Sequence, residues 1–428
     1  MSELRKLWNV YRLRRNVWLK PEQLLKMQQR RLKAIVNHAF ENVEYYHILF
    51  NSLGLKPDDI KNVGDLQKIP ILTKETVRQN FPAKITARNI NLDKCQSYST
   101  SGSTGIPLTV LVDPRGGEYR AALFGRAFFE GGLRLRDKMM MVGDARHFPK
   151  RQQWFQRLGV LRRRYFPAAE PVENQLSRIV GYNPDAIFGY SSFLYLLAME
   201  VQKREVKLSP RIVFSTAEVL GEKERKFIES ILETEIFDLY GCVELERLAW
   251  ECEEHVGYHM DVDSSIIEFV KDDEAVSPGE EGKLVVTCLY NYAMPMIRYE
   301  IGDIGIPSKE KCPCGRGFPL AEKILGRKDD FIISSSGRMI FSPLFIHFMR
   351  YISGIAQYKF VQESLTELRI FIVKDENFSD RTINQVTTEV RKLVGEKMAI
   401  VPEIVNHIEK ERSGKLRTFV SHVKQPDA

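Results

Sequence analysis

Between residues 21 and 43, apolar side chains return at roughly helical spacing: Leu24, Leu25, Met27, Leu32, Ile35, Val36 and Phe40. That recurrence predicts an amphipathic helix. Pro70 to Pro82 (PILTKETVRQNFP) reads as a short helix, with Thr73 placed to cap it and Pro82 to stop it. From residue 184 the pattern alternates. Phe193 to Val201 is apolar and helical, Arg211 to Thr216 (RIVFST) is a buried-strand run, Glu222 to Leu232 is amphipathic, and Ile236 to Tyr240 is a short strand. Helices and strands in alternation predict a parallel α/β layer. Residues 264–305 turn strand-rich, with Ile266 to Val270 and Lys283 to Tyr290 on either side of the turn Ser277-Pro278-Gly279. Beyond Asp329 and Asp330 the chain holds short strands, Phe360 to Gln362 and Leu368 to Val373, and a polar helix from Asp380 to Gly395. That length suits a small α+β domain. The expected fold is therefore α/β and α+β multidomain: a large N-terminal layered α/β region over residues 1–328 and a small C-terminal α+β domain over 329–428.

Composition narrows the class. The chain has 428 residues, enough for two or three domains, with 43% hydrophobic and 28% charged residues. No run of 18 apolar residues occurs, and no apolar stretch with a cleavage site opens the chain. Six cysteines in so long a chain argue against a disulfide scaffold and for a reducing cytoplasm. The net charge of +7 is unevenly spread. Residues 1–20 hold Arg5, Lys6, Arg12, Arg14, Arg15 and Lys20 against Glu3 alone. Residues 146–164 hold seven Lys/Arg and no acid, interleaved with Phe148, Trp154 and Phe155. Such runs are most often solvated helix faces. They leave a peripheral membrane contact open, so the expected location is cytoplasmic or membrane-peripheral. With no nucleic-acid motif joined to them, nucleic acid is not an expected partner.

The chemistry-bearing residues come in six groups. Ser99-Thr100-Ser101-Gly102-Ser103-Thr104-Gly105-Ile106-Pro107 crowds hydroxyls and glycines between apolar segments. Glycines let successive backbone N–H groups converge on an anion, and hydroxyls add donors. No lysine follows in the pattern of the kinase and GTPase phosphate loop. Ser215-Thr216-Ala217-Glu218 follows a strand and by itself reads as a helix N-cap. Tyr240-Gly241-Cys242-Val243-Glu244 follows another strand, where α/β sheets bind ligands. Ile297 to Asp303 (IRYEIGD) and Gly326-Arg327-Lys328-Asp329-Asp330 follow, and Ser413-Gly414-Lys415-Leu416-Arg417 closes the chain. Taken singly, a Gly-Asp turn or a terminal Gly-Lys is ordinary surface.

In this order and spacing the motifs resemble the adenylate-forming superfamily, and within it phenylacetate-CoA ligases and the related capsular-polysaccharide-associated proteins. The resemblance runs over roughly residues 25–420. It implies that Ser99, Thr100, Ser101, Gly102, Ser103, Thr104 and Gly105 cradle the phosphates of ATP. It implies that Ser215, Ala217 and Glu218 form the adenine turn, and that Tyr240 and Gly241 meet the adenine. Glu244 would hold Mg²⁺, Asp303 would grip the ribose hydroxyls and Arg327 would approach them. Asp329 would be the hinge of a mobile C-terminal lid, and Lys415 would bridge carboxylate and α-phosphate. The implied activity is adenylation of a small carboxylic acid, aryl or related, and transfer to a thiol, with coenzyme A the expected acceptor. Val243 departs from the family pattern, standing where a hydroxyl residue usually touches phosphate. Transfer to an amine, carrier or polymer in surface-polysaccharide synthesis stays open, as does a catalytically weak nucleotide-binding relative. A homodimer is left open too. Phe188, Tyr190 and Phe214 suit an aromatic pocket, and suit the core better.

Cys312-Pro313-Cys314-Gly315-Arg316 sets two thiols one residue apart, and upstream Cys252 is followed by His255 and His259. Two cysteines with a distant Cys/His pair make a ligand set for structural Zn²⁺. Some phenylacetate-ligase relatives look similar here. The expected set is Cys252, His259, Cys312 and Cys314, with His255 the rival.

Overall fold

In the computed structural model, residues 2–99, 108–145, 148–149, 153–168, 170–327, 331–334, 339–341, 345, 348–349, 352–409 and 416–423 are described. The chain divides into two units. One combines residues 1–134 and 237–325, the other residues 135–236 and 326–428.

The first unit is built on antiparallel strands. Ser265–Lys271 pairs with Gly282–Cys288, which pairs with Tyr299–Pro307. Leu320–Arg327 pairs with Tyr258–Met260, which pairs with Glu246–Glu251, and that strand pairs with Ile236–Cys242. The helix expected from residue 21 spans Pro21–Asn42 and buries Leu24, Leu32, Ile35, Val36 and Ala39. Leu25, which shared its apolar pattern, is exposed. Thr73 caps Lys74–Asn80 by accepting the Thr76 N–H at 3.1 Å. Helix Pro114–Glu130 also packs here, and it escaped the apolar pattern because Arg120, Arg126 and Glu130 occupy buried positions. The turn expected at Ser277 to Gly279 is preceded by a tighter reversal. Asp272 and Asp273 have positive φ and let Lys271 pair with Glu274.

The second unit holds four parallel strands: Ile212–Thr216, Ala186–Tyr190, Lys138–Gly143 and Arg162–Pro167. Helices Val172–Tyr182, Ser191–Lys203 and Glu222–Leu232 supply the crossovers such a layer requires. Strands Ala186–Tyr190 and Ile212–Thr216 are buried throughout, as strands covered on both faces are. Phe188, Tyr190 and Phe214 are buried on them. The basic stretch 146–164 is not one helix. Its described part is a four-residue helix, Trp154–Arg157, followed by the start of the edge strand Arg162–Pro167.

The C-terminal part of this unit has a four-stranded sheet in the order Ala399–Ile404, Glu367–Lys374, Ile355–Ser364, Phe419–Ser421. Helix Asp380–Val394 packs on it through Val386, Val390 and Val394. The antiparallel pair Phe331–Ile333 and Met339–Phe341 precedes it. The expected strands are present and longer than their apolar cores suggested. Among the described residues no helix is long and apolar enough to cross a membrane.

Candidate functional site

The motif strands of the first unit bring three expected residues together. Tyr240 lies near the end of Ile236–Cys242, and its hydroxyl donates to Asp303 Oδ2 at 2.6 Å. Burial, then the neighbouring Asp303 carboxylate, holds the Tyr240 phenol well above its ordinary pKa, so it stays a donor. At Gly241 the strand pairing shifts register, and a Cβ there would meet the Glu246 carbonyl at 2.2 Å. Only glycine fits that approach. Glu244 is 5% exposed, and its Oε1 accepts from the Tyr299 hydroxyl at 3.0 Å. Val243 is 38% exposed.

Arg298 and Tyr299 of the IRYEIGD motif have separate partners. Arg298 points into the unit, donating to the Ile69 carbonyl at 2.7 Å and pairing with Glu268 at 3.3 Å. Tyr299, the fully buried first residue of strand Tyr299–Pro307, reaches Glu244, a partnership the sequence reading missed.

It also missed Arg120. This buried side chain donates to the Val243 carbonyl at 2.9 Å and the Glu244 carbonyl at 3.2 Å. It pairs with Glu246 at 3.0 Å and lies over the Tyr98 ring, 4.1 Å from its centroid. Burial opposes the charge, but Glu246, Tyr290 and Tyr98 outweigh it and raise the guanidinium above its usual range. Tyr98 is in strand Gln96–Ser99, which runs into the hydroxyl-glycine loop. Ser99 ends that strand, its Oγ 3.2 Å from Thr109 Oγ1. Thr100, Ser101, Gly102, Ser103, Thr104 and Gly105 lie outside the described residues.

In the second unit, Ser215 is fully buried near the end of Ile212–Thr216. Ala217 follows with φ +69°, a left-handed conformation that costs a non-glycine residue energy. Glu218 then accepts from the Ser192 N–H at 2.8 Å and the Ser192 hydroxyl at 3.1 Å, at the start of helix Ser191–Lys203. A carboxylate is favoured there by the helix dipole. The backbone N–H of Leu416 donates to Glu218 Oε1 at 3.1 Å. The residue after Lys415 thus touches Glu218. Lys415 and Asp329, the expected hinge, lie outside the described residues. Arg327 ends strand Leu320–Arg327. Gly326 before it has φ +90° and sits close to Val219.

A second cluster occupies the first unit. The ligand atoms of Cys252, His259, Cys312 and Cys314 all lie within 4.8 Å of one another. Cys252 Sγ is 3.5 Å from Cys312 Sγ, and Cys314 Sγ is 3.3 Å from His259 Nε2. Sulfurs about 2.3 Å from a tetrahedral metal stand about 3.8 Å apart, so the spacing fits Zn²⁺. His259 Nδ1 faces the Phe318 carbonyl at 3.3 Å, which leaves Nε2 toward the thiols. Trp250 stacks on that imidazole at 4.9 Å. Burial pushes the His259 pKa down to about 4, keeping the ring neutral, the form that ligates metal. His255, the rival, faces elsewhere: its ring lies 5.0 Å from Phe237 and its Nδ1 3.5 Å from Glu251.

Comparison with known proteins decides the family. The chain is 30% identical over 340 residues to the phenylacetate-coenzyme A ligase of Thermus thermophilus, covering 73% of this chain and 72% of that one. The chain belongs to the phenylacetate-CoA ligase branch of the adenylate-forming enzymes. Residues 332–422 match the family model described as CapK C-terminal domain. Protein CapK of Staphylococcus aureus is 21% identical over 414 residues, 94% of this chain and 90% of that one. Among solved structures, 2-hydroxyisobutyryl-CoA ligase in its postadenylation state with 2-HIB-AMP superposes with a TM-score of 0.79 at 19% identity. That match covers 95% of this chain and 91% of the other, and it supports the fold. As a member of the phenylacetate-CoA ligase branch the chain is an AMP-forming ligase, mixed α/β with a small C-terminal domain.

Within that family frame the geometry sorts the expected residues. Tyr240, Asp303, Glu244 and Gly241 form one hydrogen-bonded or closely packed group. Ser215, Ala217 and Glu218 form another, with Leu416 against it. Tyr299, from the same motif as Asp303, and Arg120, from more than a hundred residues away, join the first group. The tyrosine beside Asp303 carried a signal in the IRYEIGD motif itself, whereas Arg120 carried none.

Proposed function

We propose that the chain adenylates a small carboxylic acid with ATP and passes the acyl group to coenzyme A. One observation carries the reading: Tyr240 donates to Asp303 while Tyr299 holds Glu244, so residues of the Tyr240–Glu244 and Ile297–Asp303 motifs stand together. The naming of its relatives as phenylacetate-coenzyme A ligases supports the acid and the acceptor.

In the first step a carboxylate oxygen of the acid attacks the α-phosphorus of ATP. The bond from that phosphorus to the bridging oxygen breaks, and pyrophosphate leaves. In the second the thiol attacks the acyl carbon, loses its proton and expels AMP. Ser99 to Gly105 would hold phosphates, Ser215, Ala217, Glu218, Tyr240 and Gly241 the adenine, and Asp303 with Arg327 the ribose. Glu244 offers one hard oxygen, the donor Mg²⁺ prefers, and the ion would neutralise phosphate charge. Lys415 would stabilise charge developing on the α-phosphate. Residues 329–428 would act as a lid turning at Asp329, exchanging Lys415 for thiol access between the two steps. Cys252, His259, Cys312 and Cys314 would bind Zn²⁺ with all four positions filled by protein, a structural site that fastens strand Tyr258–Met260 to the turn before Leu320–Arg327.

The acid we favour is aryl or a close relative. The test is ATP–pyrophosphate exchange against aryl, fatty and sugar acids, each with and without coenzyme A. Exchange with an aryl acid and thioester formed with coenzyme A support the reading. Exchange without thioester, and product with an amine or carrier instead, would replace the acceptor. No exchange with any acid would defeat it.

A further inference from the structure

The first helix, Ser2–Asn16, has two unlike sides. Its inner side is fixed: Leu13 is fully buried, and Asn16 donates to Asp263 at 2.7 Å. Arg14 pairs with Glu130 at 2.9 Å and Arg5 with Glu118 at 3.2 Å, fastening it to helix Pro114–Glu130. Its outer side exposes Leu7 by 66%, Trp8 by 58% and Tyr11 by 53%, and Trp18 just beyond is exposed by 56%. Leu7, Trp8 and Tyr11 on a helix held this firmly, with Trp18 just after it, are not a fraying end. At 3.6 residues per turn, Leu7 and Tyr11 stand one above the other and Trp8 adjoins them. The Trp8 and Tyr11 rings lie 5.7 Å apart.

Charge flanks that stripe with one sign. Arg12 and Arg15 are exposed, and among the described residues neither has a carboxylate partner. Their guanidiniums lie over Tyr119 at 6.0 Å and Tyr11 at 5.7 Å. Lys20 follows, also exposed. The sole acid of the helix is Glu3. We propose that this face docks on an anionic lipid bilayer, with Leu7, Trp8, Tyr11 and Trp18 at headgroup depth and Arg12 and Arg15 against lipid phosphates.

The occupant follows from the chemistry. Tryptophan and tyrosine favour the headgroup layer, where ring and polar tip are both satisfied. Arginines beside an apolar stripe complete the pattern of a helix lying in the interface plane. A second copy is disfavoured, because a two-fold contact through this face would set Arg12 and Arg15 against their own duplicates. An uncharged bilayer would leave the arginines without counter-charge. The proposal does not depend on the catalytic reading above.

The full-length protein is tested by flotation with vesicles of phosphatidylcholine alone and of phosphatidylcholine with phosphatidylglycerol, at about 0.1 M and about 1 M salt. We expect binding to the anionic vesicles at low salt, and little to phosphatidylcholine or at high salt. Each basic residue near an anionic surface contributes about fivefold in partitioning, so Arg12→Glu with Arg15→Glu should weaken binding at least about thirtyfold. Trp8→Ser with Tyr11→Ser should also abolish flotation. All four side chains are exposed, so melting and pyrophosphate exchange in solution should not change, which separates docking from misfolding. Equal binding to both vesicle types, or binding retained by either double variant, overturns the proposal. Loss only in Trp154→Ser with Leu158→Ser would overturn it in favour of the second basic-aromatic stretch. A dimer in sedimentation velocity that Trp8→Ser dissociates would overturn it in favour of a second copy.

Discussion

Replacing Arg120 with lysine should slow pyrophosphate exchange more than it loosens the fold. The guanidinium makes three directed contacts, to the Val243 carbonyl, the Glu244 carbonyl and Glu246, and its flat face covers Tyr98. Lysine presents a single ammonium on a flexible stem and cannot reproduce that fork or the ring contact. It can still reach Glu246, so the carboxylate keeps a counter-charge. Losing one charge-assisted hydrogen bond and most of the ring contact, with partial recovery, costs about 2 kcal/mol. The fold should therefore survive, with a lower urea midpoint. The catalytic effect should be larger in kind. Arg120 is proposed as a positioning residue: it ties strand Gln96–Ser99, which precedes the expected phosphate-binding residues, to the backbone around Glu244. A displacement of about 1 Å in such a group can cost about a hundredfold in rate. We expect exchange kcat/KM for ATP to fall by between about tenfold and a hundredfold at a temperature where the variant is fully folded. Arg120→Ala should be worse in stability, about 3–5 kcal/mol, because it leaves Glu246 and two carbonyls unpartnered. The reasoning is refuted if Arg120→Lys exchanges within about twofold of the parent while its urea midpoint still falls.

Protein purified without added metal should carry about one zinc per chain, with Cys312→Ser losing it and melting lower, while the KM for ATP of the remaining folded fraction stays put. Less than about half an equivalent by elemental analysis, unaffected by Cys312→Ser, would remove the metal from the picture. Lys415→Ala should cut adenylate formation by about a hundredfold or more yet spare thioester formation from a supplied acyl-adenylate, and equal loss in both assays would refute the lid exchange. Val243→Thr should leave ATP affinity equal or better by isothermal titration, because the side chain is 38% exposed and the added hydroxyl has solvent or phosphate to meet. A large drop would mean that the valine is needed for packing.

Much of the layered fold was written in local pattern. RIVFST names a strand buried on both faces because its apolar and β-branched residues are continuous, and the following amphipathic helix was bounded to the residue, Glu222–Leu232. Helix Pro114–Glu130 was hidden because its buried face carries Arg120 and Arg126, whose partners lie more than a hundred residues away. Polar core positions erase a hydrophobic period, and nothing local marks them as satisfied. The metal-ligand choice between His255 and His259 was undecidable from spacing. Strand pairing decides the geometry: His259 stands opposite Leu320, just past the turn that carries Cys312 and Cys314, while His255 is in a left-handed turn beside Phe237. The motifs of Thr100 to Gly105, Asp329 and Lys415 were the most legible in sequence, and they lie outside the described residues.

The hydrogen bond from Tyr240 to Asp303 bears on how a nucleotide would enter. Asp303 is 9% exposed and already accepts from a phenol held firmly in its protonated form. A carboxylate has lone pairs for more than one donor, so a ribose diol could share it with Tyr240 and need not displace the phenol. Sharing would fix the tyrosine ring before the base arrives and spare the entropy of ordering it on binding. Tyr299, from the strand that carries Asp303, does the same for Glu244, and Arg120 holds the carbonyls of Val243 and Glu244. Three side chains thus pre-set the carboxylates that the proposed chemistry needs. Each of them uses a hydroxyl or a guanidinium fork at a place where an apolar residue of similar size would pack as well and position nothing.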